Sequence, residues 1–200
     1  MRKQSVGFTL IESLVVLLII MTLVLVALPP LLNARLRAEI ARVQQDMQVV
    51  ESALEWYYLD YKKYPESSGA DLLSARGGDR NRGLGRLANL KYLDLIPEDR
   101  FQDSTSNIPG PLVYQFGSSG RSPSTNWKRS VPAWILVSPG PDNRTDTQYA
   151  EQFPFGTVAW RYNPLNGLRS EGDVLRYGGD WQLGDWYLDG HRIKEPVPSK

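Results

Sequence analysis

Gly7-Phe8-Thr9-Leu10-Ile11-Glu12 stands at the mouth of an apolar run that continues to Leu32. Between Phe8 and Leu32 the one formally charged side chain is Glu12. A carboxylate deep in a bilayer costs about 2.5–3.5 kcal/mol on insertion scales, so such a group normally has a partner. The amino group that a cut between Gly7 and Phe8 would create is a candidate for that partner. Ahead of the cut, Met1–Gly7 forms a short leader carrying the basic pair Arg2 and Lys3. The 25 residues from Phe8 to Leu32 reach roughly 37 Å as a helix at 1.5 Å per residue, enough to cross a hydrocarbon core. An ordinary secretory signal places its apolar core before the cleavage site. Here the core follows it and would stay in the product. A plain single-pass anchor explains the run but leaves Glu12 unexplained.

This G-F-T-L-I-E arrangement, with its basic leader, resembles the class III signal of type IV pilins and type II secretion pseudopilins. The resemblance implies that a prepilin peptidase cuts after Gly7 and N-methylates Phe8. It also implies that Glu12, fifth residue of the mature chain, serves assembly. Pro29 falls where that family commonly has a proline. Pro29-Pro30 removes two amide donors near the end of the run, so a kink or local melting is expected there. The family implication is that the helix loosens around Pro29 on packing into a filament.

After the prolines the pattern becomes amphipathic. Leu36, Ile40, Val43, Met47, Val50, Leu54, Tyr57 and Tyr61 recur at spacings of four and three. The reading is one helix from Phe8 to about Tyr61, its second half laying this stripe on a head. Tyr64 before Pro65 is biased away from helical geometry and closes it. Ser67 to Gly83 reads as an exposed loop, and Leu84, Leu87, Leu90 and Leu93 as a short helix ending before Pro97. Short strand-like runs follow at Leu112–Phe116, Ala133–Val137, Thr157–Tyr162 and Asp173–Tyr177. Helices first and strands afterwards predict an α+β fold with a small antiparallel sheet. The expected organisation is a leader over 1–7, a membrane and assembly helix over 8–32, an amphipathic half over 33–62 and a globular head over 63–200. Tyr58 through Pro65, and Gly83 through Pro97, are similar to the helix end and following helix of the major pseudopilin. Asp189 to Lys200 matches no part of that pattern.

Composition narrows the function. Lys plus Arg total 23 against 22 Asp plus Glu, and loss of the leader leaves 21 against 22. Near-neutrality argues against general capture of nucleic acid. Arg76, Arg80, Arg82 and Arg86 form a basic cluster, but Asp71 and Asp79 dilute it and no aromatic platform is interleaved. Without cysteine there is neither a disulfide nor a thiolate metal site. Many type IV pilins carry a C-terminal disulfide, so its absence points to the pseudopilin branch. The single histidine, His191, has no Cys partner, and neither a phosphate loop nor a G-x-S-x-G elbow occurs. The chain reads as a non-enzyme.

Two acidic turns remain: Asp142-Asn143-Arg144-Thr145-Asp146, and Glu171-Gly172-Asp173. Ca²⁺ takes six to eight oxygens from carboxylates, amides and carbonyls. Major pseudopilins are similar in having a calcium-bound loop region in the C-terminal sheet. The resemblance therefore marks Asp142, Asp146 and Asp173 as metal candidates, with Ser138 and Asn143 as lesser ones. Ordinary Asp/Asn turn chemistry is the competing explanation. Asn143-Arg144-Thr145 also fits a glycosylation sequon, a match frequent by chance.

The resemblance thus implies a filament subunit of a type II secretion-like machine, stored in the bacterial inner membrane with its N-terminus cytoplasmic and its head outside. The implied partners are further copies, related pilin-like subunits, prepilin peptidase, an inner-membrane assembly platform and membrane lipid. The alternatives are a type IV or minor pilin for adhesion, motility or DNA uptake, and a membrane-anchored binding domain that never polymerises.

Overall fold

The computed structural model describes residues 9–67, 83–101, 113–118, 131–165 and 171–194. Its contacts divide the chain into two compact units, Met1–Ala38 and Glu39–Lys200. Helix α1, Leu10–Tyr61, contributes to both. In the first unit the apolar side chains from Leu10 to Leu32 stand exposed, and the helix is long and apolar enough to cross a membrane by length and composition. α1 runs unbroken through Pro29 and Pro30, so the backbone there is helical and not locally melted. A proline's fixed φ is itself helical, and each ring forfeits one hydrogen bond without ending the helix.

In the second unit the amphipathic stripe is buried from Ile40 through Val43, Met47, Val50 and Leu54 to Tyr57. Tyr61 departs from the expectation at 43% exposure. Lys62 adopts φ +55 and donates its amide to the Tyr58 carbonyl at 2.8 Å, ending the helix directly after Tyr61, whose ring stacks on that of Tyr57 at 4.5 Å. A left-handed residue at this place is a common way to terminate a helix.

The remaining elements are α2 (Gly85–Asn89), β1 (Gln115–Ser118), β2 (Ala133–Ser138), β3 (Phe155–Ala159), β4 (Val174–Gly179), β5 (Asp185–Leu188) and β6 (His191–Lys194). Single 3₁₀ turns occupy Ala150–Gln152 and Trp181–Leu183. The α+β class stands, but the strands form two three-stranded sheets, ordered β1-β2-β4 and β3-β5-β6. Every pair is antiparallel except β3 with β5. The β5–β6 hairpin places His191 at the start of an ordered strand, paired with Leu188. Asp189 and Gly190 both have positive φ, the backbone an Asp-Gly two-residue hairpin turn requires. The predicted second helix shrinks to α2 because Lys91 is left-handed at φ +65; Leu84, Leu87 and Leu93 are still buried. The basic cluster apart from Arg86 lies outside the described residues, as do residues 68–82 of the Ser67–Gly83 loop.

β2 holds the head together because all six of its residues are buried. Alternate side chains point to opposite faces of a strand. Ala133, Ile135 and Val137 join Phe153, Ala159, Trp186 and Leu188 in one core cluster, toward the second sheet. Trp134, on the other face, reaches α1: its indole N–H donates to Glu55 at 3.1 Å. The second unit is therefore layered as α1, the β2 sheet and the β3-β5-β6 sheet. Gly178, opposite Trp134, has no side chain for a steric reason. A Cβ there would lie 2.6 Å from the indole ring.

The acids of α1 fasten the helix to this head. The Tyr114 hydroxyl donates to Asp46 at 3.3 Å, and Arg176 pairs with Glu51. The Tyr64 hydroxyl donates to Glu55 at 3.0 Å, and the Tyr92 hydroxyl donates to Asp60. Residues that look like a solvated flank in sequence are thus polar anchors, each turned toward a different part of the head.

Candidate assembly segment and acidic loops

Gly7 and Phe8 lie outside the described residues, which begin at Thr9. Thr9 immediately precedes α1, and Glu12 is the third residue of the helix. The two exchange hydrogen bonds. The Glu12 amide donates to the Thr9 hydroxyl oxygen at 3.3 Å, and the Thr9 amide donates to the Glu12 carboxylate at 3.5 Å. This reciprocal arrangement is a capping box, which satisfies amide groups left without partners at a helix start. A carboxylate in the first turn is also favoured by the helix dipole. Glu12 therefore has a partner within its own helix. The Thr-x-x-Glu spacing in the sequence carries this signal.

The acidic loops meet, but not as a single cage. Asp173 is fully buried and bridges to the loop ahead of the Ala150–Gln152 turn. Its carboxylate accepts the Asp146 amide at 3.2 Å and the Thr147 amide at 2.7 Å. In return the Gly172 amide donates to the Asp146 carboxylate at 2.8 Å. Gly172 has φ +98, and a Cβ there would stand 2.7 Å from the Arg161 carbonyl oxygen. Glycine is needed to bring this amide in. Burial pushes the Asp173 carboxyl up to about 6, against the opposing pull of its hydrogen bonds, and the neighbouring Asp146 charge adds to the rise.

The other candidates sit apart from this clasp. The Asp142 carboxylate accepts the Arg144 amide at 3.1 Å, an Asx turn, and Asn143 is an exposed left-handed turn residue. The Ser138 hydroxyl donates to Asp99 at 2.8 Å. Asp99 is a buried acid, not a solvated loop carboxylate, and it also accepts the Phe101 amide. Among the described residues no group of three or more His, Cys, Asp or Glu side chains is placed to hold a metal ion. The fit to Ca²⁺ is thus partial: Asp146 and Asp173 are paired, and Asp142 lies in the same turn as Asp146 with its carboxylate engaged locally.

Comparison with known proteins bears on the N-terminal segment first. Residues 2–28 match the prokaryotic N-terminal methylation motif. Three proteins named type II secretion system core protein G are similar over most of their lengths. That of Vibrio cholerae is 40% identical over 145 residues, covering 68% of this chain and 95% of the relative. That of Escherichia coli K12 is 36% identical over 175 residues, covering 86% and 90%. That of Pseudomonas aeruginosa is 26% identical over 138 residues, covering 66% and 97%. No solved structure matches significantly. The methylation motif on an apolar helix start and this likeness along nearly the whole of the relatives place the chain in the type II secretion system core protein G family, the major pseudopilins.

Proposed function

We infer that this chain is processed after Gly7, stored in the inner membrane through the apolar part of α1, and built into a short filament that helps export folded proteins. The observation that carries the reading is the methylation motif over residues 2–28, coinciding with a helix start whose one acid is Glu12. Membrane storage is supported by the exposed apolar side chains of Leu10–Leu32. The side chain from Leu10 onward has no protein partner and suits lipid before assembly and apolar helices of other copies after it. A cytoplasmic N-terminus and an external head follow from the same reading. Its partners are prepilin peptidase, the inner-membrane assembly platform, other copies and related pilin-like subunits. The chain acts as a building block and not as a catalyst.

A second proposal concerns Ca²⁺, held by Asp146 and Asp173 with Asp142, Asn143 and Ser138 as further oxygen donors. The clasp of buried Asp173 with half-buried Asp146 supports it, since a cation would offset their mutual repulsion. The ion would supply a cross-link between the two loops and no chemistry.

The filament reading is tested by intact-mass measurement on the membrane-bound protein. It predicts a chain beginning at N-methyl-Phe8, with Met1–Gly7 removed. A mass that retains the leader in the assembled form overturns it.

A further inference from the structure

We propose that the outer face of the β3-β5-β6 sheet is a binding platform for a glycan strand of the cell wall. The proposal rests on the filament reading, which puts the head in the compartment that holds the wall.

One side of this sheet is closed, because Ala159, Trp186 and Leu188 point into the core cluster. Their neighbours along each strand point the other way, away from β2 and α1. Register aligns these outward positions in a row across the sheet. Gln148 bridges Val158, Val158 pairs with Tyr187, and Tyr187 pairs with Arg192. Interstrand spacings of about 4.8 Å make this row roughly 14 Å wide, the length of a short oligosaccharide. Trp160, two residues beyond Val158, stands on the same side. Its ring lies against the β5–β6 turn, where a Cβ on Gly190 would come within 3.4 Å of it. Trp160 is 47% exposed and Tyr187 38%. A solvated sheet face ordinarily presents polar side chains. This one presents an aromatic and aliphatic centre with a polar margin.

The margin is built of paired charges. Arg161, next to Trp160 in the chain, donates through Nε to Asp189 at 2.6 Å. Arg192 grips Asp185 through two bonds of 2.8 and 2.7 Å. Among the described residues of this face, Arg161, Arg192 and Lys194 stand against Asp185 and Asp189. The two ion pairs engage all but Lys194, which lies opposite Asp185 at the end remote from Trp160. A phosphate backbone calls for cations with no acid attached, and a stable protein partner for a far larger patch. An uncharged sugar chain suits a face whose charges are already paired. The C–H groups of a pyranose meet the negative face of an aromatic ring. Its hydroxyls both donate and accept, and carboxylates, guanidinium forks and the Gln148 amide answer them. As the layer farthest from α1, this face also stays open when copies pack through α1.

The test uses the full-length chain in detergent, sedimented with purified peptidoglycan sacculi, with soluble N-acetylglucosamine oligomers as competitors. The chain is expected to pellet with the sacculi and to be released by the oligomers. Trp160→Ala and Tyr187→Ala should each weaken binding about fivefold, the share of one aromatic contact. Trp160→Phe should keep most of it. Trp56→Ala, which removes an exposed indole from α1, should leave binding unchanged. Raising salt from about 0.05 M to about 0.5 M should alter binding less than about twofold, because no counterions are released. The proposal is overturned if both alanine variants pellet like the wild type, or if salt strips the chain from the sacculi. Release by single-stranded DNA in place of the oligomers overturns it in favour of nucleic acid. A chain with its leader removed that fails to pellet loses the glycan site and leaves the filament reading standing.

Discussion

Replacing Glu55 with alanine tests whether the acids of α1 are anchors or a solvated flank. One carboxylate oxygen accepts both the Tyr64 hydroxyl at 3.0 Å and the Trp134 indole N–H at 3.1 Å. Trp134 is fully buried and Tyr64 nearly so, at 6% exposure. Alanine leaves two buried donors without their acceptor. Each lost bond to a charged group is worth about 1.5–3 kcal/mol, and a stranded buried donor costs about 1–3 kcal/mol. Glu55 itself lies at the surface, so water recovers part of the loss, and about 3 kcal/mol is the expected cost. For a domain of this size each kcal/mol lowers Tm by about 2–4 °C, which gives a drop of roughly 6–12 °C. The assay is tryptophan fluorescence during a thermal melt of the detergent-solubilised chain. Glu55→Gln keeps a carbonyl acceptor and should lose about 1 kcal/mol. Ser52→Ala, one turn away, removes only a bond to the Gln48 carbonyl and should change little. A Glu55→Ala melt within about 2 °C of wild type refutes the reasoning, as does a Glu55→Gln melt as low as that of alanine.

Three further outcomes are expected. Glu12→Ala removes one half of the capping box and the sole acid of the apolar run, so filament yield should fall while insertion and the folded head survive; unchanged yield in a shearing assay removes Glu12 from assembly. The buried Asp173 carboxyl is raised to about 6 in the folded head, so the folded state holds its proton more tightly than the unfolded chain. Its contribution to stability is then fully present below about 4 and is lost as pH rises through 6, a change of about 3 kcal/mol. In EDTA, the difference between wild type and Asp173→Asn should show that slope, and parallel profiles would refute it. If Ca²⁺ binds the acidic loops, saturating it at 100 times its dissociation constant adds about 2.7 kcal/mol and raises Tm by several degrees over EDTA. Asp146→Ala should abolish the rise, and identical wild-type melts with and without the ion dispose of the site.

The parts of this protein that the chain announces unaided are those governed by local chemistry. A basic leader, a Gly-Phe junction and a long apolar run with a single acid are consecutive residues, and their meaning needs no distant contact. The amphipathic stripe of α1 is read from spacing, because helix geometry puts every third or fourth residue on one face. Even the capping box was available in Thr9 and Glu12. Strand-like runs over most of β2, β3 and β4 are legible as well, but their division between two sheets is not. β2 is buried at every position, and apolar at all but Ser138, because it is covered on both sides, by α1 and by a sheet whose strands come later in the chain. No periodicity distinguishes that from other buried segments. β5 and β6 are four residues each and rich in charge, and they hold their place through Asp185–Arg192 and the Trp186 core, not through propensity. The anchoring of α1 joins residues as far apart as Glu51 and Arg176, and the clasp joins Asp146 to Asp173. An acid in sequence is simply an acid. Whether it faces water, caps an amide, pairs with a buried phenol or stands ready for a cation depends on what the fold carries to its side, and that is settled only when distant segments pack.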